Sequence, residues 1–257
     1  VAIRLKTEAE IEVLREGGRR LARALAALAK MVVPGANSVQ LEEAGRRMLS
    51  EDGDRPAFLG YRPPGARKQY PAAICVSVNH EIVHGVPNLV PKVFQPGDVV
   101  KIDAGLVHRG LITDSAVTVA VPPTSKAALN LIAACKKALK RGIAAAKAGK
   151  RVGDISAAIG AEARKANLSV IAELAGHGVG YALHEDPYVP NEGLPGKGPL
   201  LQPGMVIAIE PIFATGGARI RVGADGFTYE TTDGGIAAQV EHTIAVTLGE
   251  PLILTAK

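Results

Sequence analysis

The polar and apolar positions of this chain follow two periods, and the change between them sets out its elements. Over residues 7–31, Ile11, Leu14, Leu21, Leu25 and Leu28 recur at a helical spacing. Thr7-Glu8-Ala9-Glu10 has the spacing of a capping box at the start, and Pro34-Gly35 closes the segment. A second helix is expected from Asn37 or Ser38 to about Ser50, with Leu41, Ala44 and Met48 inward. Residues 51–71 lose all periodicity and are rich in Gly, Pro and Arg. Phe58, Tyr61 and Tyr70 stand along them and need burial, so the stretch reads as a pocket loop rather than a linker. Residues 73–78, AICVSV, form a short strand. From Gln95 to Val121 the pattern becomes that of a β-hairpin. Val99, Val100, Ile102 and Val107 lie on one side of His108-Arg109-Gly110, and Leu111, Ile112, Val117, Val119 and Val121 on the other. After Pro122-Pro123-Thr124 the order starts again: an Ala- and Lys-rich helix over 125–148, a shorter one over 154–167 starting near Asp154, then strands.

The hairpin is written twice. FQPGDVVKID at 94–103 returns as LQPGMVIAIE at 201–210, which sets Glu210 on Asp103. Asp114-Ser115-Ala116-Val117-Thr118-Val119 returns as Glu241-His242-Thr243-Ile244-Ala245-Val246, which sets Glu241 on Asp114. If His108-Arg109 is a two-residue loop, Asp103 faces Asp114 across the ladder, with Cβ atoms ~4.5–5.5 Å apart. A turn at Asp225-Gly226, a strong hairpin signal, likewise sets Glu210 opposite Glu241. Like charges directly opposite are destabilising, and a cation between them removes the objection. Two such hairpins give four converging carboxylates. Duplicated helices and strands make the chain α+β, with helices on one face of a curved antiparallel sheet and the other face left for a site. No linker interrupts it, so residues 1–257 read as a single domain of two pseudo-repeats, about 7–122 and 124–250.

Composition narrows the setting. Apolar residues make up 47% of 257, far from disorder. Two cysteines, Cys75 and Cys135, allow no disulfide framework and suit a reducing compartment. No apolar run is long enough to span a membrane, and no secretory core follows the N-terminus, so a cytoplasmic protein is expected. The net charge of +5 allows weak attraction to nucleic acid or a ribosome surface, but a solvated basic face accounts for it more simply. No specific nucleic-acid partner is expected.

Four carboxylates with one or two imidazoles suit a pair of divalent ions such as Mn, Fe, Co or Zn, and do not suit a thiolate-rich structural site. Two ions held ~3.5–4 Å apart can activate a water and polarise a carbonyl. His177, set between Gly176 and Gly178, is a poor core residue and a good ligand. His177-Gly178-Val179 echoes His84-Gly85-Val86. His80, His108 and His242 read as structural. Cys75 reads as a pocket wall, since no base partner activates it.

Gly176-His177-Gly178-Val179 followed by His184, the Asp103/Asp114 pair, Ile209-Glu210-Pro211 and Glu241-His242-Thr243 together resemble the type I methionine aminopeptidases, of the pita-bread metallopeptidase superfamily. The resemblance spans nearly the whole chain. It implies the pita-bread fold and hydrolytic removal of the initiator methionine, before a small second residue, from the N-termini of nascent polypeptides. It implies that Asp103, Asp114, His177, Glu210 and Glu241 hold two divalent ions, Asp114 and Glu241 bridging them. It further implies that Glu210 moves a proton, that His84 and His184 touch the substrate or the tetrahedral intermediate, and that the protein is a monomer. Phe58, Tyr61, Tyr70, Cys75 and Phe227 are then the walls of an apolar pocket, with His84 and His184 at its edge. Leu174, Leu183 and Phe227 depart from the family's usual residues around that pocket. Two rivals stand beside this reading: a proline-specific aminopeptidase or prolidase of the same fold, and a non-catalytic binding relative.

Overall fold

A computed structural model describes residues 3–63 and 68–256 of the chain. The tip of the expected pocket loop, residues 64–67, lies outside the described residues, as do residues 1, 2 and 257. Helix α1 runs over Glu8–Lys30 and α2 over Ser38–Met48. Both open on capping boxes. The Glu10 N–H donates to Thr7 Oγ1 and the Thr7 N–H to Glu10 Oε2; Asn37 and Gln40 exchange the same pair of bonds. Helix α3 runs over Lys126–Ala145 and α4 over Val152–Ala166. The last begins two residues before Asp154, because the Asp154 carboxylate reaches back to the Arg151 N–H from the third helical position.

Each helical pair seals its own half. Leu21, Leu25, Leu28 and Leu41 pack with Val100, Ile102, Ala104 and Leu106 of strand Val99–His108. Leu131, Leu139, Ile155 and Ile159 pack with Ile207, Ile209, Ala238 and Val240 of the second half. Strand residues alternate faces. Since the even positions of 100–106 face the helices, Lys101, Asp103 and Gly105 point the other way. By the same alternation Glu210 and Glu241 turn away from the α3/α4 core. Every strand pairing among the described residues is antiparallel.

The first hairpin differs from expectation by one step at its turn. His108 pairs with Leu111, so the turn is Arg109-Gly110, both with positive φ (49° and 85°). That is the conformation a two-residue loop needs to match strand twist, and glycine adopts it without strain. His108 is drawn out of the loop by packing: its Nδ1 lies 2.7 Å from Asp54 Oδ1, and its ring lies against Gly17 of α1. Asp103 therefore opposes Ala116, and Asp114 opposes Gly105. The shift is an even number of residues, so both acids keep the same face and meet diagonally. The second hairpin keeps the expected register. Ile212 pairs with Gln239 and Ile209 with His242, which sets Glu210 opposite Glu241 between the two ladders.

The short strand is Cys75–Val78 rather than 73–78. Ala73 and Ile74 give their N–H groups to the buried carboxylate of Glu42 instead, at 2.8 to 3.1 Å. That link, absent from the sequence reading of α2, fixes the approach to the pocket wall. No helix among the described residues is long and apolar enough to cross a membrane.

Candidate active site

Asp103, Asp114, His177, Glu210 and Glu241 converge at the seam between the halves, all buried. His177 lies on strand Ala175–Gly178, where the pairing with strand Glu185–Pro190 shifts register between Gly176 and Gly178. Such an irregularity re-aims a side chain. Its Nε2 lies 3.7 Å from Glu210 Oε1 and 3.9 Å from Asp114 Oδ2. Its Nδ1 lies 3.0 Å from the Gly178 carbonyl and donates to it, which leaves the Nε2 lone pair facing the acids. Asp114, His177 and Glu241 each place a ligand atom within 4.8 Å of the others. Asp103 and Glu210 join this group through Gln239, whose Nε2 donates to Asp103 Oδ2 at 3.3 Å and Glu210 Oε2 at 3.2 Å.

The electrostatics of the cluster call for a cation. Burial raises the Asp103 carboxyl to about 7. Burial and then the neighbouring acids push Asp114, Glu210 and Glu241 well above the ordinary carboxylate range. Asp103 Oδ1, Asp114 Oδ1 and Glu241 Oε1 are buried without a hydrogen-bond partner. Burial lowers His177 to about 3, so its imidazole is neutral. Orphaned acid oxygens around a neutral, oriented imidazole are the donor set of a hard divalent ion.

A cavity of ≈ 480 Å³ opens from these acids, and every residue expected at the pocket lies on it: Phe58, Tyr61, Tyr70, Cys75, His84, His184 and Phe227. Phe58 and Tyr70 meet edge to face at 6.4 Å, and Tyr70 and Phe227 at 5.7 Å. The Tyr70 hydroxyl donates to the Gly85 carbonyl at 2.9 Å, which turns the polar tip away from the slot. Burial pushes the Cys75 thiol well up, as befits a wall and not a nucleophile. His84, at φ 59°, faces the cavity beside Tyr229. His184 stacks edge to face on His177 at 4.3 Å. On the far side of His84, His177 and His184 a groove of ≈ 630 Å³ continues past Leu174, Tyr188 and Glu173.

Sequence reasoning missed Gln239 and Tyr229, while Leu183, expected beside the pocket, does line the cavity. Gln239 had a signal, since it stands two residues before Glu241 in one extended stretch and so shares its face. Tyr229 reaches the cavity by tertiary packing alone.

A model of metallopeptidase family M24 matches residues 12–248. The chain belongs to metallopeptidase family M24. This M24 chain is 43% identical over 257 residues to a methionine aminopeptidase of Aquifex aeolicus, covering 99% of each. It is 40% identical over 256 residues to methionine aminopeptidase 1 of Mycobacterium tuberculosis, covering 97% of this chain and 94% of that protein. The crystal structure of a methionine aminopeptidase from Thermotoga maritima superposes with a TM-score of 0.93 at 40% identity, each chain fully covered. A prolidase from Pyrococcus furiosus shares the fold, with a TM-score of 0.77 at 20% identity, but this chain covers only 65% of it. The expected pita-bread α+β fold is thus met, and the family uses divalent metal, in keeping with the acid cluster.

Proposed function

We propose that this M24 enzyme is a methionine aminopeptidase, removing the initiator methionine from polypeptide N-termini whose second residue is small. The observation that carries the reading is the joining of the acid–imidazole cluster to a slot lined by Phe58, Tyr61, Tyr70, Cys75 and Phe227. The slot suits an unbranched thioether, with sulfur–aromatic contacts of ~0.3–1.5 kcal/mol. The groove past Leu174 and Tyr188 leaves room for the rest of the substrate. The relatives at 40–43% identity carry the same name.

Asp103, Asp114, His177, Glu210 and Glu241 would hold two divalent ions, Co, Mn, Fe or Zn, with Asp114 and Glu241 shared. Bound there, the ions supply an activated water and polarise the scissile carbonyl. The protein's own groups do the rest. Glu210 takes the proton of the attacking water and returns it to the leaving amine. His184 donates to the developing oxyanion. His84 holds the scissile amide nitrogen and, with the slot's edge, limits the second residue to Gly, Ala, Ser, Thr, Cys, Pro or Val. Loss of one oxyanion donor costs ~10²–10³ in rate.

The same reading takes residues 1–257 as one metallopeptidase domain of two pseudo-repeats, about 7–122 and 124–250. It takes the protein as a cytoplasmic monomer that meets the ribosome weakly, if at all, through its basic surface. The separate cores of the two halves support the repeat.

The test is release of free methionine from Met-Ala-, Met-Leu- and Leu-Ala-leading peptides, with and without chelator. Cleavage should favour Met-Ala- over the others by ~10–200-fold, the worth of a misfitting methylene in an apolar pocket, and should vanish on chelation. Equal cleavage of all three would make the enzyme a general aminopeptidase. Cleavage confined to Xaa-Pro would make it a prolidase.

A further inference from the structure

The two histidines that meet edge to face in the cavity differ in what holds Nδ1. His177 Nδ1 lies against a backbone carbonyl, the Gly178 oxygen. A carbonyl only accepts, so His177 carries its hydrogen on Nδ1. His184 Nδ1 lies 2.6 Å from the Tyr61 hydroxyl, with the rings 5.3 Å apart and tilted by 55°. A hydroxyl can donate or accept, so the direction follows from acidity. A phenol, with a pKa of ~10, is a far stronger donor than a neutral imidazole N–H, and an imidazole nitrogen is a far stronger acceptor than a phenol oxygen.

We propose that Tyr61 is a positioning residue that fixes the tautomer of His184, donating to Nδ1 so that the ring's only hydrogen sits on Nε2, free to face the reacting carbonyl. The proposal rests on the reading above of His184 as the oxyanion donor. In the opposite tautomer Nε2 would be an acceptor and would repel that oxygen. Neighbouring histidines are thereby set to opposite tasks, His177 with a bare Nε2 for a cation and His184 with a protonated Nε2 for an anion. Tyr61 is well placed for this. Its carbonyl accepts from the Tyr70 N–H at 2.8 Å, and the neighbouring Gly60 N–H donates to the Tyr70 carbonyl at 2.9 Å. These bonds tie the segment to Tyr70, itself anchored through its hydroxyl to Gly85.

The test uses zinc-loaded protein labelled with ring-¹⁵N histidine, with His184→Asn to assign the resonance. Long-range proton–nitrogen correlation should show His184 protonated at Nε2 in the wild type. In Tyr61→Phe, which keeps the ring and removes the hydroxyl, the Nδ1-protonated form should become populated. The kcat on a Met-Ala-Ser peptide should fall ~10-fold, part of the ~10²–10³ that an oxyanion donor is worth, with KM within twofold and bound zinc unchanged. An Nδ1-protonated His184 in the wild type would overturn the proposal. So would a Tyr61→Phe variant with unaltered tautomer, or one that raises KM and leaves kcat intact, since either makes Tyr61 a wall alone. The tautomer is read without turnover, so it decides the proposal even if methionine release fails, which refutes only the proposed function.

Discussion

Asp103, Asp114, Glu210 and Glu241 are placed where burial works against the ionisation of each. Burial holds Asp103 up to about 7, and burial with the neighbouring acids holds the other three well above the ordinary carboxylate range. The folded, metal-free site therefore keeps protons that the unfolded chain has released above ~4.3, and its stability falls as pH rises through the folded values. His177, lowered to about 3, acts the other way below ~6.5. Lys101, a buried amine lowered to about 7, acts the other way above that. Lys101 lies outside the ligand set and contributes alike with and without metal, so the difference between the two states isolates the acids. Divalent metal must displace more of these protons at pH 5.5, below the Asp103 value, than at pH 8, above it. The gain in Tm on adding Mn to chelator-treated protein should be several degrees larger at pH 8 than at pH 5.5. Paired thermal scans check this, and an equal or smaller gain at pH 8 would contradict it.

At the scale of the element, turn chemistry and close backbone approach set where the acids point. The Arg109-Gly110 turn fixes the first register, and the second hairpin turns around Asp225-Gly226 with the Gly223 N–H bonded to the Thr228 carbonyl at 2.7 Å. The strand that carries His177 depends on its glycines for a different reason. A Cβ on Gly178 would lie 2.2 Å from the Asp186 carbonyl oxygen of the neighbouring strand. Gly178→Ala must push that strand away, an overpacking cost of ~1–3 kcal/mol. It should also displace His177, so both Tm and kcat/KM should fall. A thermal scan with a peptide assay reads both, and a variant with normal Tm and full activity would show that the strand has slack.

Across the whole molecule, the halves are stitched at the site by side-chain hydroxyls. Thr243 Oγ1 accepts from the Asp114 N–H at 2.9 Å and donates to the Asp114 carbonyl at 2.7 Å. Ser115 Oγ donates to the Glu241 carbonyl at 2.8 Å, and Thr118 Oγ1 donates to the Gln239 carbonyl. The Glu241 N–H reaches the Ala116 carbonyl at 3.0 Å. Asp114 and Glu241 are thus neighbours only because two separate cores are joined along this line. Thr243→Val keeps the shape and strands two buried backbone groups at ~1–3 kcal/mol each. That should lower Tm by several degrees, at ~2–4 °C per kcal/mol for a chain of this size, and weaken metal binding as Asp114 loosens. Calorimetry and metal titration test both effects, and unchanged values in each would place the joint elsewhere.

Much of this was legible without coordinates. Helical periods marked α1 and α2, and a capping box the start of α1, because both signals are local. The repeated acid–strand–turn–strand–acid unit marked the four carboxylates, because a strand's period of two keeps alternate residues on one face whatever the exact pairing. That parity is why a mistaken turn at His108-Arg109 still left Asp103 and Asp114 together. Tertiary structure alone decided the rest. The burial of His108 against Asp54 and Gly17 moved the turn, since no residue near 108 in sequence announces a partner in α1 or at position 54. The cross-links by Gln239 and Thr243, the Glu42 anchor and the Tyr61–His184 bond join residues far apart in the chain. Local pattern determines which face a side chain takes, and only packing of the two halves determines what waits on that face.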